Sequence, residues 1–188
     1  MRRGPWRTLN SRYTHENRWF RVRTDDVLNP DARPGEYNVI EVPAAVTVVA
    51  LDDQERLCLI REYRYAHETW LWETPVGRLD AEDTDPLVAA QRELREEAGL
   101  TSDDWTYLGL TRGLKGLSNQ VLHHYLARDV RVGRTALEGV EAIDQQRFVS
   151  FGDFFEEMRT GRVTDGETVA AVALAAAHLG FCRSSPTD

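Results

Sequence analysis

One segment, residues 85–100, fixes the position of a helix and the side chains that the helix carries. Asp85 is a typical N-cap residue, Pro86 suits the first helical position, and Gly99 is common just past a helix end. Four apolar side chains recur at helical spacing and predict a buried stripe: Leu87, Ala90, Leu94 and Ala98. A rigid helix with a clear start and a clear stop is therefore expected here.

The predicted helix carries three glutamates, Glu93, Glu96 and Glu97. Residues three or four apart share a helix face, so Glu93 and Glu97 point the same way, with Glu96 beside them. Carboxylates this close repel one another unless a cation lies among them, and hard oxygen ligands suit Mg²⁺ or Mn²⁺. Arg92 is expected to pair with Glu96. A solvated charged face is commoner for a Glu-rich helix, but Gly77 upstream favours a metal site.

The segment before the helix, Gly77 to Thr84, has no periodicity and is predicted to be a loop. A backbone carbonyl of this loop, at Val76 or Gly77, is expected to complete the shell of a cation, because a backbone can approach closely at glycine. On the predicted helix, the three glutamates are expected to lie on the side opposite the buried apolar stripe.

The segment Gly77 to Leu100 resembles the Nudix box, which is Gly, five residues, Glu, seven residues and then Arg-Glu-(aliphatic)-x-Glu-Glu-x-Gly-(aliphatic). The second half matches at every fixed position. The first half is one residue longer than the family spacing, and the isolated glutamate is replaced by Asp83 or displaced to Glu82. The resemblance implies an α/β fold, the Nudix-type α/β/α sandwich with a mixed sheet, preceded by N-terminal antiparallel strands. It also implies metal-dependent hydrolysis of a pyrophosphate bond with Mg²⁺ or Mn²⁺.

Three further segments resemble the ADP-ribose pyrophosphatase branch of that family: Leu59 to Tyr65, Trp70 to Gly77 and Val163 to Thr168. They imply ADP-ribose as the first substrate, cleaved to AMP and ribose 5-phosphate. Gly116 stands where members of the branch often carry proline, so other substrates stay open: nucleotide sugars, dinucleotides and nucleoside triphosphates. A module that binds ADP-ribose without cleaving it is a further alternative, which the intact glutamates disfavour.

Charge and resemblance together predict one set of metal-binding residues and one set of catalytic residues. The predicted metal set is Val76, Glu93, Glu96 and Glu97. The predicted catalytic set is Arg92, Glu96, Glu97 and Glu138. Glu138 aligns with a late loop that often supplies a general base in the branch. Glu141 is the second candidate for that base, and plain surface acids are the alternative for both.

Four side chains are predicted to bind the substrate: Arg64, Arg112, Trp19 and Tyr37. Either arginine can reach a phosphate, although an exposed arginine without such a role is equally common. The two aromatic residues match positions at which related enzymes stack a nucleobase, and ordinary packing is the commoner role for such residues.

Apolar and polar alternation predicts early antiparallel strands and later strands interleaved with helices. The expected early strands are Trp6–Tyr13, Trp19–Arg23 and Tyr37–Val42, and the expected later helices are Phe151–Arg159 and Glu167–His178. We expect an N-terminal strand region at residues 1–43, a Nudix domain at 44–182 and a flexible tail at 183–188. A chain of 188 residues, 41% apolar, is long enough for one good core.

Composition also limits which partners and which cellular compartment are expected for the protein. The sequence shows no apolar run long enough for a membrane span, no signal peptide and no zinc spacing. Cys58 and Cys182 are expected to be buried or incidental thiols, which favours a cytoplasmic location.

Charge is unevenly distributed along the chain. The net charge is −8, yet residues 1–24 hold seven arginines and one glutamate. Nucleic acid is disfavoured as a partner because an acidic body would repel a polyanion. The resemblance implies a homodimer in which this arm and Trp19 or Tyr37 help to complete the nucleotide pocket of the partner subunit. The alternative is an arm that packs on its own subunit.

Overall fold

The computed structural model describes residues 2–80, 82–83, 85–133 and 142–181. Its strands are β1 (Arg2–Arg3), β2 (Trp6–Glu16), β3 (Arg21–Leu28), β4 (Pro34–Glu41), β5 (Ala45–Ala50), β6 (Leu57–Arg64), β7 (Thr69–Glu73), β8 (Val76–Arg78), β9 (Leu100–Thr101), β10 (Asp104–Thr111), β11 (Leu122–Arg128), β12 (Arg131–Val132) and β13 (Ile143–Val149). Its helices are α1 (Pro86–Ala98), α2 (Phe151–Arg159) and α3 (Gly166–Leu179), and Tyr65–His67 form a 3₁₀ turn. The chain divides into two compact units, one of residues 1–44 and 112–121 and one of residues 45–111 and 122–188.

The first unit is an antiparallel sheet in the order β1-β2-β3-β4, which confirms the predicted early antiparallel strands. The expected strand at Trp19–Arg23 was misplaced, because the strand β3 begins at Arg21 and continues to Leu28. The side chain of Asn17 accepts hydrogen bonds from the backbone N–H groups of Trp19 (2.7 Å) and Phe20 (2.9 Å). These bonds hold the two aromatic residues in a turn before the strand.

The second unit contains a mixed sheet in the order β10-β11-β5-β8, in which β11 and β5 are parallel, and an antiparallel sheet in the order β13-β6-β7. Successive side chains of a strand point to opposite faces. Val46 and Val48 of β5 accordingly pack with α1, whereas Val49 packs with α2 and α3. Helices therefore cover both faces, and the predicted α/β/α sandwich is confirmed.

The helix α1 has the ends that its sequence predicts. The Asp85 side chain accepts a hydrogen bond from the Leu87 backbone N–H at 2.8 Å, and Gly99 adopts the left-handed conformation with φ 63°. The predicted loop at Gly77 to Thr84 is wrong at its first two residues, because the strand β8 includes Gly77 and Arg78. Gly77 stands opposite Val46 in the pairing with β5. The glycine of the box is thus held by a sheet.

Among the described residues, no helix has both the length and the apolar character needed to cross a membrane.

Candidate active site

The Glu93 carboxylate lies directly against the backbone of β8 at Gly77. A Cβ atom placed on Gly77 would stand 1.9 Å from Cδ of Glu93 and 2.0 Å from its Oε1 atom. Only a residue without a side chain leaves this space open. The position of the Glu93 side chain therefore depends on the glycine in the strand.

The Glu97 carboxylate is held by the same strand. Its Oε2 atom accepts a hydrogen bond from the Val76 backbone N–H at 2.7 Å. Glu93 and Glu97 are only 5% and 4% exposed. The expectation that the glutamates lie opposite the buried stripe is therefore wrong for these two, because α1 turns them toward β8 and away from solvent. Glu96 is half-buried beside them.

Arg92 forms hydrogen bonds with acidic side chains of the helix and of the preceding segment. Its Nη1 atom donates to Glu93 Oε1 (2.7 Å) and to Glu96 Oε2 (3.1 Å), which confirms the expected Arg92–Glu96 contact. Its Nη2 atom donates to the Arg78 carbonyl at 2.9 Å. Burial alone would lower the pKa of Arg92, but the charge and hydrogen bonds of these carboxylates raise it.

In the first half of the box, where the spacing departs from the family pattern, Asp83 rather than Glu82 makes contacts with Arg92 and Asp80. The Asp83 Oδ2 atom accepts hydrogen bonds from Arg92 Nη2 (3.2 Å) and from the Asp80 backbone N–H (2.8 Å). Glu82 is exposed. Asp83 stands six residues after Gly77, at the family spacing, so the extra residue falls between Asp83 and Arg92.

The donor set has the right chemistry for Mg²⁺ or Mn²⁺, because Glu93, Glu96 and Glu97 supply only hard oxygen atoms. Across residues 2–80, 82–83, 85–133 and 142–181, however, no group of three or more His, Cys, Asp or Glu side chains has an arrangement that could hold a metal ion. The contacts explain this result. The Arg92 guanidinium lies between Glu93 and Glu96, and Glu97 faces the N–H of Val76.

Arg64 is surrounded by carboxylates that sequence reasoning did not select. Its Nε atom donates to both oxygens of Glu73 (2.9 and 3.0 Å), its Nη2 atom also pairs with Glu73, and Glu62 Oε2 lies 3.0 Å from Nη2. Glu73 follows two tryptophans in an apolar strand. A charged residue there needs a buried partner, and this was the signal available in the sequence.

Glu167, at the start of α3, belongs to the same acidic neighbourhood. Burial raises its pKa to about 7, the charges of Asp165 and Glu73 add to the rise, and Arg64 opposes it. The helix start is fixed nearby, since Asp165 accepts a hydrogen bond from the Thr168 N–H at 2.7 Å. Glu167 is therefore harder to ionise than a carboxyl group in water.

The first unit contains three more of the predicted site residues, all of them exposed: Trp19, Tyr37 and Arg112. The Tyr37 hydroxyl donates to the Gly116 carbonyl at 3.0 Å, and Arg18 lies 4.3 Å from the ring centre of Trp19. The two candidates for the general base, residues 138 and 141, lie outside the described residues.

Comparisons with known proteins cover nearly the whole chain. Residues 41–172 match the NUDIX domain, and residues 6–40 match the nucleoside diphosphate sugar hydrolase N-terminal domain. The chain belongs to the Nudix family. This result confirms the resemblance and the predicted enzyme class, a Nudix pyrophosphohydrolase.

Two relatives and one solved structure show the extent of the similarity. An ADP-ribose pyrophosphatase of Mycobacterium tuberculosis is 32% identical, over 96% of this chain and 88% of the relative. A CMP-5'-(N-acetyl-N-hydroxy-3-aminopropyl)phosphonate hydrolase of Streptomyces rubellomurinus is 29% identical, over 96% and 86%. The crystal structure of an ADP compounds hydrolase superimposes with a TM-score of 0.82 at 23% identity, over 95% of this chain and 97% of that one. The structural match supports the fold.

The contact between Gly77 and Glu93 predicts a strong effect of one methyl group. Gly77→Ala should displace the Glu93 carboxylate, lower the free energy of unfolding by about 1–3 kcal/mol and lower turnover by about 100-fold. Gly152→Ala is the matched control, because its nearest neighbour would be Ser150 Oγ at 3.7 Å. Urea unfolding and steady-state kinetics measure both variants. Unchanged stability and turnover in Gly77→Ala would show that Glu93 lies elsewhere.

The raised pKa of Glu167 predicts a pH dependence of stability. A carboxyl whose pKa rises on folding stabilises the protein fully below its unfolded pKa, and that contribution is lost as pH rises through about 7. Relative to Glu167→Gln, the Tm of the wild type should therefore fall by about 2–4 °C between about pH 5 and about pH 8. Thermal unfolding measures the difference, with the exposed Glu16→Gln as control. A constant difference would contradict the burial of Glu167.

Proposed function

We propose that this Nudix hydrolase cleaves the pyrophosphate bond of a nucleoside diphosphate linked to another moiety, with ADP-ribose as the first substrate and AMP and ribose 5-phosphate as products. The observation that carries the proposal is the pair of buried carboxylates, Glu93 and Glu97, that α1 holds against β8. Two of the relatives, from Mycobacterium tuberculosis and Bacillus subtilis, are named ADP-ribose pyrophosphatases, which supports ADP-ribose over other substrates.

Mg²⁺ or Mn²⁺ is the proposed cofactor, held by Glu93, Glu96 and Glu97 with the carbonyl of Val76 or Gly77. When bound, such an ion neutralises the phosphate charge and lowers the pKa of a coordinated water. The side chains of the protein hold that site in shape. The Val76 N–H orients Glu97, and Arg92 orients Glu93 and Glu96.

The other predicted residues complete the proposed mechanism. Glu138 is the proposed base that removes a proton from the attacking water. Arg64 and Arg112 are proposed to bind the phosphates, and Trp19 and Tyr37 to stack the nucleobase. The proposed setting is the cytoplasm, with a small-molecule substrate as the partner.

Nucleoside diphosphate sugars are the second candidate substrates. The match of residues 6–40 to the nucleoside diphosphate sugar hydrolase N-terminal domain favours them specifically. A turnover screen decides between the classes, using ADP-ribose, nucleotide sugars, dinucleotides and nucleoside triphosphates, each with Mg²⁺ and with Mn²⁺. If a nucleotide sugar is turned over faster than ADP-ribose, the nucleotide sugar becomes the proposed substrate. Binding without any turnover would support a module that only senses its ligand.

Glu97→Gln tests the carboxylate chemistry. The amide oxygen can still accept the Val76 N–H, so the fold should be preserved while the negative charge is lost. We expect the turnover of ADP-ribose to fall by at least ~100-fold, as for other strong electrostatic elements of an active site. Glu82→Gln, at an exposed position close to α1, should cost less. Near wild-type activity of Glu97→Gln would place the metal site elsewhere.

We further propose a homodimer in which Trp19 or Tyr37 completes the nucleotide pocket of the partner subunit. Light scattering should give twice the mass of one chain. Trp19→Ala should raise the Michaelis constant by about tenfold through lost stacking, whereas Leu9→Ala, at another exposed position of the first unit, should leave it unchanged. A fully active monomer at micromolar concentration would contradict the shared pocket. In the first unit, Arg12, Arg21 and Arg23 already pair with acidic residues, so the proposal rests on the aromatic residues.

A further inference from the structure

The ion pair of Arg64 and Glu73 fixes the orientation of one guanidinium group. Glu73 is only 2% exposed and engages both Nε and Nη2 of Arg64. A contact through two nitrogen atoms sets the plane of the guanidinium, whereas a single contact would let it rotate. Glu62 adds a second carboxylate on Nη2 at 3.0 Å.

One edge of the same guanidinium remains available for a ligand. Within the part of the chain that the structure describes, the hydrogen bonds and ion pairs of Arg64 use only Nε and Nη2. The Arg64 side chain is 35% exposed. The Nη1 atom can therefore donate to an incoming anion while Glu73 holds the other side.

The backbone on both sides of Glu73 is anchored. Glu73 pairs with Ile60 in the register of β6 and β7. The next residue, Thr74, donates its backbone N–H to Thr168 Oγ1 at 2.9 Å, and Thr168 is itself buried at the start of α3. The position of the Glu73 carboxylate, which contacts Arg64, is therefore fixed by the backbone around it.

Arg64 also lies within electrostatic range of the helix carboxylates. Burial alone would lower its pKa, but hydrogen bonding and the charge of Glu73 raise it, and Glu62 and Glu97 contribute to the rise. Glu97 is one of the proposed metal ligands. An arginine near that carboxylate is well placed to contact a phosphate next to the metal site.

We propose that Glu73 is a positioning residue, which holds the Arg64 guanidinium so that Nη1 donates to a phosphate of the bound nucleotide. The inference rests on the proposed function, because it assigns Arg64 to the phosphate. The carboxylate restricts the rotamers of Arg64 before binding, so less conformational entropy is lost when the phosphate arrives. Glu73 itself contacts no substrate.

A second buried pair in the same unit provides a structural comparison. Glu157 engages Nη1 (3.1 Å) and Nη2 (2.5 Å) of Arg147 and is 8% exposed. The Arg147 guanidinium lies 3.8 Å from the ring centre of Trp72, which it covers. This pair links β13 to α2 and has no proposed contact with the substrate. Glu157→Gln therefore removes a buried carboxylate that contacts Arg147 and not Arg64.

A double-mutant cycle tests the proposal. Glu73→Gln should raise the Michaelis constant for ADP-ribose, and the Kd for ADP in chelator measured by titration calorimetry, by about tenfold, with kcat changed less than about threefold. In the Arg64→Ala background, Glu73→Gln should have no further effect on either constant. Glu157→Gln should leave both constants unchanged. The double variant removes both charges, so it keeps the test open if Glu73→Gln alone folds poorly.

The outcomes separate this inference from the proposed function. If the wild type hydrolyses none of the substrates, the proposed function fails, while the ADP affinities still measure the coupling between Glu73 and Arg64. Equal effects of Glu73→Gln with and without Arg64 would overturn the positioning role. An unchanged Michaelis constant and Kd in Glu73→Gln, or no binding of ADP to the wild type, would overturn it as well.

Discussion

The close approach of the Glu93 carboxylate to Gly77 is the contact on which the rest of the site depends. It requires that β8 present a residue without a side chain and that α1 pack tightly enough to bury a charged group. The pairing of β8 with β5 fixes the strand, and the caps at Asp85 and Gly99 fix the ends of the helix. Two glutamates of one helix, Glu93 and Glu97, can then face one short strand, with Glu96 beside them.

Burial of two carboxylates is costly unless positive charge and hydrogen bonds offset it. Arg92 supplies both by contacting Glu93, Glu96 and Asp83, and the Val76 N–H serves Glu97. The contacts with Arg92 thus hold the carboxylates in place. In the proposed mechanism, Glu93, Glu96 and Glu97 would hold a divalent ion, which would supply further positive charge.

Local patterns in the sequence were sufficient to predict α1 and the identity of its carboxylates. Caps and periodicity act over a few residues, so Asp85, Gly99 and the apolar stripe could be interpreted without knowledge of the fold. The Nudix box added the glycine. The strand β8 could not be predicted in the same way, because three residues around a glycine have no periodicity and their conformation is set by pairing with β5.

The burial of Glu93 and Glu97 and the partner of Arg64 also depend on tertiary contacts. A helical pattern shows which residues share a face, but the closeness of β8 decides whether that face is buried. Arg64 and Glu73 lie on the paired strands β6 and β7, but the register sets Thr69 opposite Arg64 and Ile60 opposite Glu73. Their contact therefore depends on the long arginine side chain as well as on the pairing of the strands. The register of these strands is absent from any local motif, so the carboxylates near Arg64 became visible only in the structure.

The proposed function requires that the glutamates of α1 bind a divalent ion. Titration of Mn²⁺ followed by electron paramagnetic resonance measures that binding without any substrate. The wild type should remove free Mn²⁺ from solution, whereas Glu93→Gln/Glu97→Gln, with its fold verified by circular dichroism, should not. Equal Mn²⁺ binding by the wild type and this variant, or no binding by the wild type, would show that these glutamates are not the metal ligands.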